Sequence, residues 1–109
     1  MLFSVFRHLI EQKNGVPTKI IQLDDPDSGV TTLRVEGDMS IEDARLIERL
    51  GDDIRARTGN RISVDLADLY FLDSESAPFL RQLESRDGFK IEGIEIFLQK
   101  AIDQVERRD

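Results

Sequence analysis

The amino-acid sequence predicts a single α/β domain in which a mixed sheet of about four strands is packed by helices. The 109 residues suffice for one domain rather than two. Segments with the two-residue period of strands alternate with segments that have the helical period, in the order (α)ββαβαβα. Strands separated by helices need crossover connections, which make a sheet partly parallel. We therefore divide the chain into a lead, 1–17, and one domain, 18–109.

The lead carries a helical spacing of apolar residues. Leu2, Val5, Phe6 and Leu9 follow the i, i+3, i+4, i+7 pattern of one helix face, and a breaker at 14–17 follows them. We expect a short helix there. Two roles stay open for it, which are to cover the core of the domain or to contact a partner.

A β-hairpin is predicted next. A strand at 18–24 and a strand at 30–36 flank a turn at 25–29, whose proline and glycine suit turn geometry. Apolar and polar residues alternate in the second strand, so we expect one of its faces to be buried. Residues 37–39 are expected to end that strand.

The first long helix, 40–57, has a predicted start and stop. Ser40 can cap its N-terminus, and the acidic first turn suits the helix dipole. The sequence Thr58-Gly59-Asn60 ends it. Gly51 weakens this helix by about 1 kcal/mol relative to Ala, and we expect it to allow a close approach to the sheet.

The rest of the domain repeats the alternation of strands and helices. We expect a strand at 61–66, a loop at 67–73, a helix that ends near Gly88, a strand at 89–93 and a last helix at 94–107. The residues expected to form one buried core are Leu33, Val35, Ile47, Leu50, Ile62, Val64, Leu80 and Leu83. The apolar face of the last helix is formed by Ile94, Phe97, Leu98, Ala101, Ile102 and Val105.

Composition excludes several classes of function. Asp and Glu number 22 against 15 Lys and Arg, a net charge of −7, which disfavours nucleic acid and anionic lipid as partners. The lack of Cys removes disulfides and thiolate nucleophiles, and a single His excludes a His-rich metal site. No segment has the length for membrane insertion or the pattern of a signal peptide. We expect a cytoplasmic, non-catalytic protein without a cofactor.

Two groups of acidic residues are candidate cation sites. The group at 24–27 lacks the spacing of a calcium loop, and turns favour Asp in any case. Asp65, Asp68 and Asp73 surround a strand end, where α/β folds often place sites. No Lys or His completes a phosphoryl-transfer site there, so we predict no metal. A small nucleotide-binding protein built on these three residues stays an alternative.

The segment 66–80 carries the most informative pattern in the chain. A strand runs into an apolar stretch and then into Asp-Ser before a helix, for which either Ser74 or Ser76 is a candidate cap. Here Phe71-Leu72-Asp73-Ser74 resembles the motif of the STAS domain, the fold of sulfate-transporter tails and bacterial anti-sigma-factor antagonists. Residues 33–39 and 64–66 resemble two strands of that family, in the same order.

The resemblance covers residues 18–107 and implies a STAS-like fold with a regulatory, protein-binding function. In anti-sigma-factor antagonists, the serine after this aspartate is phosphorylated by a partner kinase that is also the anti-sigma factor, and the phosphate breaks the complex. Ser74 occupies that position and is the candidate phosphoacceptor. The chain departs from the family at 75–77, where Glu-Ser-Ala replaces Ser or Thr, Gly and Leu. The expected partner-binding residues are Asp38, Asp73, Ser74, Glu75, Ser76, Pro78 and Phe79.

A second function within the same family stays open. In this alternative, the chain resembles a STAS-like accessory subunit that docks on a transporter or a larger scaffold. The lead at 1–17 would then serve as an added anchor. Both functions require a protein partner, and neither requires catalysis.

Overall fold

The computed structural model describes residues 17–107, and a mixed sheet organises them. The predicted helix in the lead lies outside the described residues. The elements are β1 (Lys19–Asp25), β2 (Val30–Met39), α1 (Ile41–Thr58), β3 (Arg61–Asp65), β4 (Leu69–Leu72), α2 (Ser76–Glu84), β5 (Phe89–Glu92) and α3 (Ile94–Arg107).

The sheet has the strand order β1-β2-β3-β5, and β4 also pairs with β2. The hairpin pairs β1 antiparallel to β2, from Lys19 opposite Glu36 to Asp25 opposite Val30. The crossover through α1 makes β3 parallel to β2, and the crossover through α2 makes β5 parallel to β3. The predicted fold class, a mixed sheet packed by helices, is confirmed.

The short strand β4 was not predicted, because residues 67–73 were expected to form a loop. It pairs parallel with the last three residues of β2, Gly37–Met39, where the sequence analysis expected β2 to have ended. The pairing of β2 with β1 and β3 reaches only Glu36 and Arg34. Beyond these residues the backbone groups of β2 need another partner, and β4 supplies it.

The core lies between α1, α2 and one face of the sheet. Seven of the eight predicted core residues are buried, and Leu50 is only partly buried at its edge. Gly51 permits the close approach expected of it, since a Cβ atom there would lie 2.5 Å from a ring carbon of Phe89. This contact fixes the distance between α1 and the sheet beneath it.

Candidate functional site

The edge of the sheet where the parallel strands end is organised by Asp73, directly after β4. One carboxylate oxygen of Asp73 accepts a hydrogen bond from the backbone N–H of Ile41 at 3.1 Å. The other accepts from the N–H of Ser76 at 2.8 Å and from its hydroxyl at 2.7 Å. Ile41 begins α1 and Ser76 begins α2, so one side chain ties together the N-termini of both helices.

The charge of Asp73 is stabilised by these donors. Burial raises the pKa of Asp73, but hydrogen bonds from the hydroxyl and the backbone of Ser76, and from the backbones of Ile41 and Glu75, outweigh it. The pKa therefore lies below its ordinary value. The carboxylate is the ionised acceptor that two helix N-termini favour.

The sequence analysis considered Ser74 and Ser76 as the cap of α2, and neither takes that position. The N-cap residue is Glu75, whose side chain makes no capping hydrogen bond; the Asp73 side chain instead accepts from the N–H of Ser76, the first residue of the helix. Ser76 is fully buried as the first residue of the helix, and Ser74 lies exposed in the turn before it. Of the two serines, only Ser74 presents its hydroxyl to solvent.

Two aromatic side chains project from β4 beside this turn. Tyr70 is 64% exposed and Phe71 is 56% exposed, while Leu69 packs into the core. Sequence reasoning missed them as surface residues, because an apolar run after a strand suggests burial. We call Tyr70, Phe71, Ser74 and Glu75 the β4–turn surface; the last two are also exposed.

The other predicted partner-binding residues take different positions. Asp38 is half-buried and lies opposite Phe71 in the β2–β4 pairing, while its carbonyl accepts a hydrogen bond from the Thr18 hydroxyl. Pro78 is exposed in the first turn of α2. Phe79 is half-buried against the core, with the Arg45 guanidinium 6.0 Å from its ring centre. Only part of the predicted set therefore faces solvent.

The α1 side of this edge is held by the cap that the sequence predicted. The Ser40 hydroxyl accepts from the Asp43 N–H, and the Asp43 carboxylate accepts from the Ser40 N–H at 2.9 Å. Thr18, at the start of the hairpin, donates to the same carboxylate at 3.0 Å. The frame around the turn thus combines local capping bonds with two that join segments far apart in sequence, Thr18 to Asp43 and Ile41 to Asp73.

The acidic groups have structural partners in this fold. In the hairpin turn, Asp25 accepts from the backbone of Asp27 at 3.1 Å. Asp65 lies 3.6 Å from Arg34 and accepts from the Ala67 N–H at 3.0 Å. Among residues 17–107, no group of three or more His, Asp or Glu side chains is arranged to hold a metal ion.

Comparisons with known proteins give likenesses among solved structures only. No family model matches the chain, and no curated protein matches it. A crystal structure of an antisigma-factor antagonist STAS domain from Rhodobacter sphaeroides is similar to it, with 17% identity and a TM-score of 0.49, over 72% of this chain and 89% of the other. Values this low do not establish a shared family. Within residues 17–107, no helix is long and apolar enough to cross a membrane.

Proposed function

We propose that this chain is a protein-binding regulatory module, which docks a partner on the β4–turn surface and releases it when Ser74 is phosphorylated. The observation that carries the proposal is the position of Ser74. Its side chain is exposed beside two exposed aromatic rings, in a turn that the neighbouring Asp73 holds in place.

The exposed aromatic pair supports a docking role. Aromatic rings are enriched at the centres of protein interfaces, where each buries a large area with few rotatable bonds. Tyr70 and Phe71 are both more than half exposed, so the surface offers two adjacent anchors. Asp38 lies opposite Phe71 in the β2–β4 pairing, and the exposed Asp68 and Glu75 flank β4 and the turn in sequence, so a phosphate at Ser74 would add to negative charge already present.

Phosphorylation of Ser74 would change the charge of this surface without breaking its frame. A phosphate adds about −1.5 to −2 charge at neutral pH. The hydrogen bonds that hold the turn are donated by Ile41 and Ser76 to the Asp73 carboxylate and do not include the Ser74 side chain. We therefore expect the fold to persist, while a partner docked on the neutral hydroxyl would meet repulsion and a desolvation cost.

The sequence motif supports a particular kind of partner. Residues 71–74 resemble the phosphorylation motif of anti-sigma-factor antagonists, so we propose a serine kinase that is itself the anti-sigma factor. In this proposal the chain is a cytoplasmic regulator of transcription that acts by contact rather than by turnover. Glu75 places a carboxylate next to Ser74 where the family's usual sequence has Ser or Thr, so a phosphate at Ser74 would add to a charge already present.

The test compares two serine substitutions at opposite ends of the molecule. Ser74→Asp places charge in the β4–turn surface, and Ser28→Asp places the same charge in the exposed hairpin turn. Both variants and the wild type are used to capture partners from native cells, and the affinity for the captured partner is then measured. We expect Ser74→Asp to weaken binding at least about tenfold, equivalent to about 1.4 kcal/mol, and Ser28→Asp to bind as the wild type does.

Two further measurements separate a switch from a constitutive surface. Mass spectrometry of the protein from cells should find phosphate at Ser74, and Ser74→Ala should keep partner binding. Equal affinity for wild type and Ser74→Asp, together with no phosphate at Ser74, would rule out the switch. Unchanged binding by Tyr70→Ser and Phe71→Ser would show that the docking surface lies elsewhere.

A further inference from the structure

The two outer edges of the sheet differ in how their backbone groups are paired. At the β5 edge, the N–H of Ile91 donates to the Glu84 carboxylate at 3.1 Å. The N–H of Phe89 donates to the Arg86 carbonyl at 3.4 Å. A side chain and a turn occupy this edge, so another strand could pair there only by displacing them. At the opposite edge, β1 pairs with β2 alone among residues 17–107.

The pairing pattern shows which backbone groups of β1 face outward. The N–H of Arg61 donates to the Gly29 carbonyl at 2.9 Å, so in this part of β2 the odd-numbered residues bond to β3 and the even-numbered residues bond to β1. Val30 lies opposite Asp25 in the hairpin, which makes the odd-numbered residues of β1 the ones that bond to β2. The N–H and C=O groups of the even-numbered residues in 20–24 therefore point away from the sheet.

The outward residues of β1 are Ile20, Gln22 and Asp24. Among residues 17–107, nothing bonds to their backbone groups, and such an edge is a template for another strand. Proline and β-bulges are two common devices that prevent strand addition. The strand has neither, since its seven residues include no proline and its register with β2 is regular.

The backbone of β1 is complementary to itself when two copies run antiparallel. A two-fold axis at Gln22 places this residue opposite its own copy, and Ile20 opposite Asp24 of the second copy. All three outward residues then fall at hydrogen-bonded positions, where facing residues exchange both N–H···O bonds. A shift of two residues in either direction would leave one of them opposite a residue outside β1.

The side chains on the other face of β1 match in the same register. Lys19 lies opposite Asp25 of the second copy at both ends of the pairing, so each end joins an ammonium group to a carboxylate. Between these ends, the half-buried Ile21 lies opposite Leu23, which is 43% exposed. Opposite charges and aliphatic side chains placed directly across an antiparallel pair both stabilise it. The register that pairs the backbone also pairs the charges, which favours a second copy over an unrelated strand.

We propose that two copies of this chain associate by pairing their β1 edges antiparallel about Gln22, which joins their sheets into one. A single pair of strands is a small contact beside the roughly 800 Å² that each partner gives to a standard interface, so the dimer is reversible. The β1 edge shares no residue with the β4–turn surface, and the two proposals are tested separately.

A single introduced cysteine tests the register, because the chain has no cysteine of its own. In Gln22→Cys, the two Cα atoms would lie about 5.5 Å apart across the axis, which a disulfide can span. The matched control is Asp24→Cys, two positions along the same face of the same strand. Its Cα atoms would lie more than about 13 Å apart, because four residues of strand separate them along the pairing.

Both variants are oxidised as full-length protein at the same concentration, and covalent dimers are followed by non-reducing electrophoresis. We expect the disulfide-linked dimer to form at least tenfold faster in Gln22→Cys than in Asp24→Cys. Equal rates, or faster crosslinking of Asp24→Cys, would overturn the proposal.

Sedimentation equilibrium provides a second readout that needs no crosslink. We expect the wild type to form a dimer whose Kd rises at least tenfold in Gln22→Pro, because proline removes an outward N–H and none of the bonds to β2. Gln22→Thr keeps that N–H and should dimerise as the wild type does. If the proline unfolds the hairpin, as circular dichroism would show, the cysteine comparison decides alone.

Two results of this second measurement would contradict the proposal. A dimer that forms equally well in a folded Gln22→Pro would show that the copies meet on another surface. A wild type that stays monomeric at about 1 mM protein would show that the β1 edge does not pair with itself and is left to a strand of another protein.

Discussion

Replacing Asp73 by alanine should destabilise the domain more than any other single change in the turn. The substitution removes the side-chain acceptor of the first N–H of α2, and the loss of such an acceptor at a helix N-terminus costs about 1 kcal/mol. It also leaves the partly buried backbone N–H of Ile41 without its acceptor, at a further cost of about 1 kcal/mol, the low end of the range for a buried donor. The sum of about 2 kcal/mol is a substantial fraction of the 5–15 kcal/mol that holds a typical domain folded.

Asp73→Asn separates the two contributions. Its remaining carbonyl oxygen can still accept from Ser76, but the amide nitrogen then faces the Ile41 N–H, and two donors meet. We expect a loss of about 1 kcal/mol, smaller than for alanine. Ser74→Ala is the control from the adjacent position, and its effect should stay within about 0.5 kcal/mol.

Urea unfolding followed by circular dichroism measures these differences, with the midpoint falling and the slope unchanged. The pH dependence gives an independent check. Because the folded-state pKa of Asp73 is depressed, its stabilisation is present above the unfolded pKa of about 3.9 and is lost as pH falls through the folded pKa. The gap between wild type and Asp73→Ala should therefore narrow in acid. A gap below about 0.5 kcal/mol at pH 7 would refute the proposed role of Asp73.

Three other outcomes are expected. Val64→Asp places an unpaired charge in a fully buried position and should unfold the domain; an unchanged melting temperature would contradict the placement of β3. Gly51→Ala forces a methyl group against the Phe89 ring and should cost about 1–3 kcal/mol, whereas a gain of about 1 kcal/mol from helix propensity would show that the contact is loose. The purified protein should not hydrolyse nucleotides or phosphoesters, and an activity lost in Asp65→Ala or Asp73→Ala would overturn the non-catalytic proposal.

Much of the fold could be predicted because its determinants are local. The cap at Ser40, the period of the apolar residues in α1 and the alternation in β2 are each set by neighbours in sequence. The strand β4 could not be predicted in this way. Its four residues lack a two-residue period, since Tyr70 and Phe71 are both exposed, and it forms because the end of β2 needs a pairing partner.

The candidate site, like the fold, could be predicted from sequence only in part. The motif identified Ser74 as the residue to examine, and the structure places it at the surface. The role of Asp73 depends on two helix N-termini that meet only after the chain has folded, one of them 32 residues away. Sequence spacing alone cannot report such a contact, and it favoured a serine as the cap instead.

The separation of a structural role at Asp73 from a proposed regulatory role at Ser74 has an evolutionary consequence. The carboxylate at position 73 accepts three hydrogen bonds that join the N-termini of α1 and α2. The side chain at position 74 takes part in none of these bonds. Under the switch proposed for Ser74, a single nucleotide change at that codon would abolish the regulation with little loss of stability. Related sequences could then differ at 74 without compensation, whereas a substitution at 73 would need a compensating change elsewhere.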